Sequence, residues 1–215
     1  MSQSSVSRPR TLQKSINAIP RGLIYGLGVI PGVWAFWLGV NDRLGAEPIK
    51  SLEHLLGLWA LRFLIVTLAV TPLRRFGGPS LIRYRRATGL LAFFYAATHL
   101  LVWLILDRGL DGTEILKDIV KRPYITIGMF AFAILIPLAV TSNATMIKRL
   151  GASAWQRLHR WVYIAAIAAA AHFIMVVKSW PPEPLIYAAI VAALLLIRMW
   201  FAAKKRFSPP ATRAA

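Results

Sequence analysis

Six stretches of this chain are each close to twenty residues long and almost wholly apolar, which leaves few ways to fold. They run over about 22–40, 52–71, 87–106, 123–141, 158–177 and 184–203. Each matches the ~20 helical residues needed to cross a ~30 Å hydrocarbon core. Within such a core every backbone N–H and C=O must be satisfied inside the protein, and the helix does so within one segment. The expected fold is therefore all-α, a polytopic membrane protein built as a bundle of six transmembrane helices. Composition agrees, with 57% hydrophobic and 16% charged residues in a chain of 215, the apolar ones gathered into blocks. The expected organisation is a basic segment over 1–21, a six-helix domain over 22–203 and a basic tail over 204–215, with no room for a separate soluble domain. The first run is rich in glycine and aromatic residues and is followed by no clear small-x-small site, so it reads as a retained helix rather than a signal peptide.

Charge sets the expected orientation. One set of connections and ends carries 17 lysines and arginines, the other set 7. Positive charge favours the inner side, so both termini are expected in the cytoplasm. All eight carboxylates (Asp42, Glu47, Glu53, Asp107, Asp111, Glu114, Asp118 and Glu183) fall in or beside the outer connections. The inner face is then uniformly basic. Topology signalling and attraction to anionic lipid account for that pattern, and an acidic cytosolic partner would also fit it. The net charge of +18 does not point to nucleic acid, because the basic residues sit in short segments between apolar runs and form no soluble basic face. Trp34, Trp37, Trp103, Tyr124 and Trp180 near the outer boundary, and Tyr25, Tyr84, Trp155, Trp161 and Trp200 near the inner one, read as interfacial belt residues.

Four histidines are the candidates for chemistry: His54, His99, His159 and His172. Counted from the inner ends of their spans, His99 lies about 18 Å deep and His172 about 21 Å deep. Titratable rings at that depth are costly and mark functional sites. Two histidines at one depth on parallel helices can ligate one iron axially, and a bis-imidazole b-type haem favours electron transfer over oxygen binding. The alternative is a buried pair hydrogen-bonded to backbone or to each other. The alanine run before His172 would make space for a flat macrocycle, or simply for close helix packing. The absence of cysteine excludes thiolate metal sites, iron–sulfur clusters, disulfides and covalently attached haem. His159 shares its span with His172 but lies about 20 Å away and roughly 140° around a straight helix. It sits among Arg157 and Arg160 and reads as interfacial on its own. His54, beside Glu53, is either a proton-active or haem-edge group near the outer face or an interfacial histidine paired with its neighbour.

Arg62 falls near the middle of the second span, where an arginine costs ~2.5–3.5 kcal/mol unless it is partnered. No carboxylate lies within a span near it, so its expected partner is a backbone carbonyl, water or a bound anion such as a haem propionate or flavin phosphate. Arg198, nearer the inner end of the last span, is expected to snorkel.

The segments EHLLGLWALRFLIVTLAVTPLRR, LIRYRRATGLLAFFYAATHLLVWLILD, KRPYITIGMF and WQRLHRWVYIAAIAAAAHFIMVVK resemble the MsrQ family. These are the haem-binding membrane subunits of the bacterial periplasmic protein-methionine-sulfoxide reductase system. The resemblance runs from about Ile30 to Trp200 and extends to the wider ferric-reductase-like transmembrane domains, NADPH oxidases among them. It implies a bacterial inner-membrane protein that takes electrons from the quinone pool or a cytosolic flavin reductase. It further implies that they pass through b haem to a periplasmic molybdopterin-containing catalytic subunit, for repair of oxidised periplasmic proteins. His99, His159 and His172 match the family's haem-associated histidines, and FMN is a further implied cofactor. In the NADPH-oxidase relatives two helices carry two histidines each. Here Arg86 stands near the missing position, so one haem is expected, and a second would need a different ligand. The flavin- and nucleotide-binding domain of those relatives is absent, so the donor is a separate molecule.

The expected function is thus that of an electron-transfer subunit, with His99 and His172 as the axial pair and Arg62 and Arg86 as cofactor-side cations. The rivals are a quinol-oxidising cytochrome b anchor of another respiratory complex, a transporter using Arg62 as an anion site, and a purely structural anchor.

Overall fold

The computed structural model describes the backbone of residues 10–177 and 181–207, and the side chains of 13–177 and 181–204. In chain order the helices are α1 (Arg10–Ala18), α2 (Arg21–Val40), α3 (Pro48–Arg75), α4 (Arg85–Val102), α5 (Gly112–Lys121), α6 (Pro123–Val140), α7 (Ala144–Leu150), α8 (Ala152–His159), α9 (Val162–Val176) and α10 (Pro182–Phe207). A 3₁₀ turn, Ile82–Tyr84, leads into α4, and a π turn, Trp103–Asp107, continues it. Six segments are long and apolar enough to cross a membrane: α2, α3, α4 with its flanking turns, α6, α8 with α9, and α10. No strand occurs among the described residues. The fold is the six-span helical bundle that the apolar runs require.

Local chemistry sets where these helices begin. Pro48 and Pro123 occupy the first turns of α3 and α6, where a missing N–H costs nothing. Asp111 caps α5 by accepting from Thr113 N at 2.8 Å, and Asn143 caps α7 by accepting from Met146 N at 2.8 Å. Residues 1–21 are polar and basic overall, but Leu12, Ile16 and Ile19 recur at helical spacing, and α1 forms and docks on the loop before α4. Gln13 and Ser80 exchange two hydrogen bonds, and the Tyr84 hydroxyl donates toward the carbonyls of Ile16 and Ile19.

The two most extensively packed helix pairs are α3 with α4 and α6 with α9. They meet along a central core that includes Leu61, Leu64, Leu68, Ala165 and Ala166. Outside it, α2 and α10 present Ile30, Val33, Leu196 and Met199 exposed, as helices facing lipid must. The glycines Gly28 and Gly32 of α2 bring it against α4, where added Cβ atoms would strike the Leu91 and Tyr95 side chains. Tyr95 is fully buried there. Its hydroxyl donates to Gly28 O at 2.7 Å and accepts from Gly32 N at 2.8 Å, so it sits within one helical rung of α2.

Several belt expectations are corrected. Tyr84 and Trp103 are buried rather than interfacial. Trp155 packs inward, with Nε1 donating to Thr141 O at 2.9 Å. Lys178 and Trp180 lie outside the described residues, as do Arg8 and Arg213 and the side chains of Arg10, Lys205 and Arg206. At the acidic end, buried Asp118 of α5 pairs with Arg108 Nε at 2.8 Å and Arg122 Nε at 3.2 Å, pinning the surface helix to the bundle.

Replacing Tyr95 with Phe leaves the ring contacts and removes the hydroxyl from the α2 rung. Thermal unfolding in detergent should show a loss of about 1–3 kcal/mol, the cost of unsatisfied buried polar groups. An unchanged midpoint would mean that Gly28 O and Gly32 N rejoin without it.

Candidate functional site

The structure brings two of the four histidines together. His99 of α4 and His172 of α9 have ring centroids 6.2 Å apart and ring planes at 77°. Each ring is anchored by a backbone carbonyl of a further helix. His99 Nδ1 lies 2.8 Å from Glu53 O of α3, and His172 Nδ1 lies 2.7 Å from Tyr124 O of α6. A carbonyl oxygen can only accept, so both Nδ1 atoms carry the proton and donate. That fixes the tautomer and leaves both Nε2 lone pairs available, the arrangement that metal-bound imidazoles show. Of the two alternatives for a buried pair, hydrogen bonding to backbone is realised, and it occupies only one nitrogen of each ring.

The spacing fits one metal between the rings. Two metal–nitrogen bonds of about 2 Å, with a further ~1 Å from each nitrogen to its ring centre, make about 6 Å. Among the described residues no group of three or more His, Cys, Asp or Glu side chains could hold a metal ion. A lone pair of imidazoles suits a metal whose other ligands come from a macrocycle, as in b-type haem.

His159 does not join this pair. Between α8 and α9 the fifth span tightens at residues 160–161, where Arg160 N, Trp161 N and Tyr163 N bond the carbonyls three residues back, so the 140° offset of a straight helix does not apply. Thr141 gives its hydroxyl proton to Pro137 O at 2.6 Å, so its oxygen accepts from His159 Nε2 at 3.0 Å. The imidazole also stacks on Trp155, with centroids 3.8 Å apart and planes at 26°. His159 thus offers only Nδ1. The arginine within electrostatic reach of it is Arg85, whereas Arg86, the expected occupant of the missing histidine position, is exposed.

The buried arginines find partners other than those expected. Arg62 Nε donates to the Tyr187 hydroxyl of α10 at 2.8 Å, and its guanidinium lies 4.9 Å from the Trp59 ring centroid and 5.9 Å from that of Tyr187. Among the described residues its partners are therefore a phenol and two aromatic faces. The Arg62 Nη groups make no hydrogen bond among the described residues, so that edge stays open to an anion. Arg198 does not snorkel. It crosses the bundle interior, donating to Tyr163 Oη at 3.0 Å and to Leu68 O at 2.6 Å. His54 faces Glu183 of α10 at 3.8 Å and the Phe173 ring, rather than its neighbour Glu53.

Inspection of residue types misses the two carbonyls that hold the rings, because a carbonyl belongs to every residue. It also misses Thr141 and Tyr187, whose roles depend on contacts across 18 and 125 positions of chain.

Comparison with known proteins gives one consistent answer. Residues 56–170 match the family described as ferric reductase like transmembrane component. Proteins from Brucella ovis, Brucella canis and Brucella suis, each described as a protein-methionine-sulfoxide reductase heme-binding subunit MsrQ, are 59% identical over 177 residues. That alignment covers 82% of this chain and 80% of each relative. The matched segment contains α4 and most of α9, but it stops two residues short of His172. By family match and by identity together, this chain belongs to the MsrQ family of ferric reductase-like transmembrane proteins.

Proposed function

We propose that this protein is the haem-carrying electron-transfer subunit of a methionine-sulfoxide reductase system in a bacterial inner membrane. His99 and His172 are its axial pair. The observation that carries the reading is the pair of matched Nδ1–H donations to Glu53 O and Tyr124 O, at 2.8 and 2.7 Å, with ring centroids 6.2 Å apart. The description of the 59% identical relatives as heme-binding subunits supports the cofactor. Bound there, a b haem supplies reversible one-electron storage in the outer half of the bundle.

The protein's part in that chemistry is to fix both rings, exclude water and offset charge. Each donation to a carbonyl makes its imidazole a stronger base and favours the oxidised metal. Arg62, braced by Tyr187 and Trp59, would offer its Nη groups to an anionic substituent such as a propionate. His159 is a site residue of the basic half, and its Nε2 bond to Thr141 opposes ligation through that atom. Arg85 lies toward His159 and Arg198, and this cationic half is where the phosphate of FMN would find complementary charge. Arg86 belongs to the exposed basic surface at the same end.

Both termini are assigned to the cytoplasm, with the basic segments 1–21 and 204–215 on that side. Electrons then enter from the quinone pool or a cytosolic flavin reductase and leave at the acidic end. There they reach a periplasmic molybdopterin-containing catalytic subunit that reduces methionine sulfoxide in proteins.

Purified protein should show a reduced α-band. His99→Ala or His172→Ala should each lower haem occupancy by more than the roughly 10–100-fold typical of changes beyond the ligand shell. His159→Ala should leave the bis-imidazole spectrum in place. Retention of a full spectrum by both single variants at 99 and 172 would sink the axial assignment. The 77° angle between ring planes predicts a strongly anisotropic low-spin ferric EPR signal, and the rhombic signal of parallel imidazoles would contradict it. Affinity purification from its own membranes should bring down a molybdopterin protein. Recovery of a quinol-oxidising respiratory complex instead would favour the cytochrome b anchor.

A further inference from the structure

We propose that Gly57 and Gly128 are positioning residues for the two imidazoles, each uncovering the helix carbonyl four residues earlier so that a histidine from the adjacent helix can reach it. The proposal rests on the reading of His99 and His172 as axial ligands. Glu53 and Gly57 on α3, and Tyr124 and Gly128 on α6, have the same spacing. Each glycine touches the ring that its partner carbonyl holds. A Cβ on Gly57 would lie 3.3 Å from His99 Nδ1 and 3.4 Å from Cε1. A Cβ on Gly128 would lie 2.7 Å from His172 Nδ1 and 2.9 Å from Cε1.

The geometry of the α-helix explains the coincidence. Every Cα–Cβ bond tilts toward the N-terminus, so a side chain covers the turn before it, including the carbonyl four residues back. This chain shows that coverage directly. Thr67 bonds Phe63 O, Thr98 bonds Phe94 O, Thr141 bonds Pro137 O and Ser142 bonds Leu138 O, each at 2.6–2.8 Å and each four residues back. Glycine leaves that place vacant. At residues 57 and 128 an imidazole from the neighbouring helix enters it and donates Nδ1–H to a carbonyl that already accepts the rung's own N–H.

Close helix packing is the other use of an interior glycine, and it makes a different prediction. A packing role would change yield or unfolding temperature without altering the metal's ligand field. The proposed role governs how far each ring stands from its carbonyl, and hence the basicity of the ligating nitrogen. The two sites are also graded, since the Gly128 contact leaves no space for a methyl and the Gly57 contact leaves a little.

The test uses the full chain with its haem in detergent, taking only the monodisperse fraction. Gly128→Ala should reduce haem affinity about 10-fold, in line with loss of a ligand's supporting hydrogen bond. It should move the midpoint potential to more positive values, and give a high-spin ferric component together with carbon monoxide binding to the reduced form. Gly57→Ala should change the same quantities in the same direction by less. Gly89→Ala, whose methyl would meet only Thr67 at 3.7 Å, should match the parent in all of them. A parental potential, EPR signal and carbon monoxide response in folded Gly128→Ala and Gly57→Ala would overturn the proposal. Failure to recover folded Gly57→Ala, whose methyl meets a 3.3 Å contact, or folded Gly128→Ala, whose methyl meets one of 2.7 Å, would also count against it, because the methyl would then be disrupting the bundle and not the ring. His99→Ala and His172→Ala separate the two levels. If they lose the low-spin spectrum while the glycine variants keep theirs, the axial assignment stands and the positioning role falls. If they keep it, the assignment itself is wrong.

Discussion

A helical carbonyl in hydrocarbon accepts one bond from the N–H four residues on and retains a second lone pair with no water to fill it. The bundle turns that leftover capacity into its means of placing polar side chains. On α2 the rung between Gly28 and Gly32 takes the Tyr95 hydroxyl. On α3 the Glu53 carbonyl, with Gly57 four residues on, takes His99, and on α6 the Tyr124 carbonyl, with Gly128, takes His172. In all three the residue four positions after the accepting carbonyl is glycine. Two of these docked side chains, Tyr95 and His99, lie on α4, which packs against both α2 and α3. That helix is thereby located by polar contacts at two depths as well as by packing. Because the carbonyls belong to a rigid helix, the rings they hold are fixed as firmly as the backbone itself.

The interior cations follow the same economy, with donors meeting neutral acceptors. Arg198 satisfies itself on Leu68 O and the Tyr163 hydroxyl, tying α10 to α3 and α9 without a carboxylate. Arg62 uses Tyr187 and the face of Trp59. Guanidinium over an aromatic face is worth more where water is scarce, and each of these arginines lies over one, Arg62 over Trp59 and Arg198 over Tyr163. The carboxylate chemistry is confined to the acidic end, where Asp118 draws Arg108 and Arg122 around α5.

How much of this could be read from sequence depends on the range of the cause. Length and apolarity are local, so all six spans and the depth match of His99 with His172 could be seen before any coordinates. The tightened turn after His159 could not, since His159–Val162 contains neither Pro nor Gly, and the segment looks like one continuous helix. The cost of burying Arg62 was equally visible, but not its partner, because Tyr187 lies 125 positions away and a phenol does not announce itself as a counter-group. The anchoring carbonyls escaped for a different reason. Every residue has one, and only the glycine four positions later marks which are uncovered. That mark is present in EHLLG and YITIG, and it acquires meaning once a histidine is known to face each.

The two halves of the fifth span now have distinct physical characters. In α9 the imidazole of His172 keeps Nε2 free because backbone has claimed Nδ1. In α8 the imidazole of His159 has its Nε2 claimed by Thr141, its face covered by Trp155, and a cation rather than a second histidine nearby. A dianionic group would be drawn to the surroundings of His159 by Arg85 and Arg198, whereas a second positive metal centre would be repelled by them. The pair at the acidic end instead keeps both Nε2 atoms free, because backbone carbonyls hold both Nδ1 atoms. On the proposed function, an electron entering at the basic end would pass from the surroundings of His159 to the pair formed by His99 and His172, and the turn at residues 160–161 lets one span carry both environments.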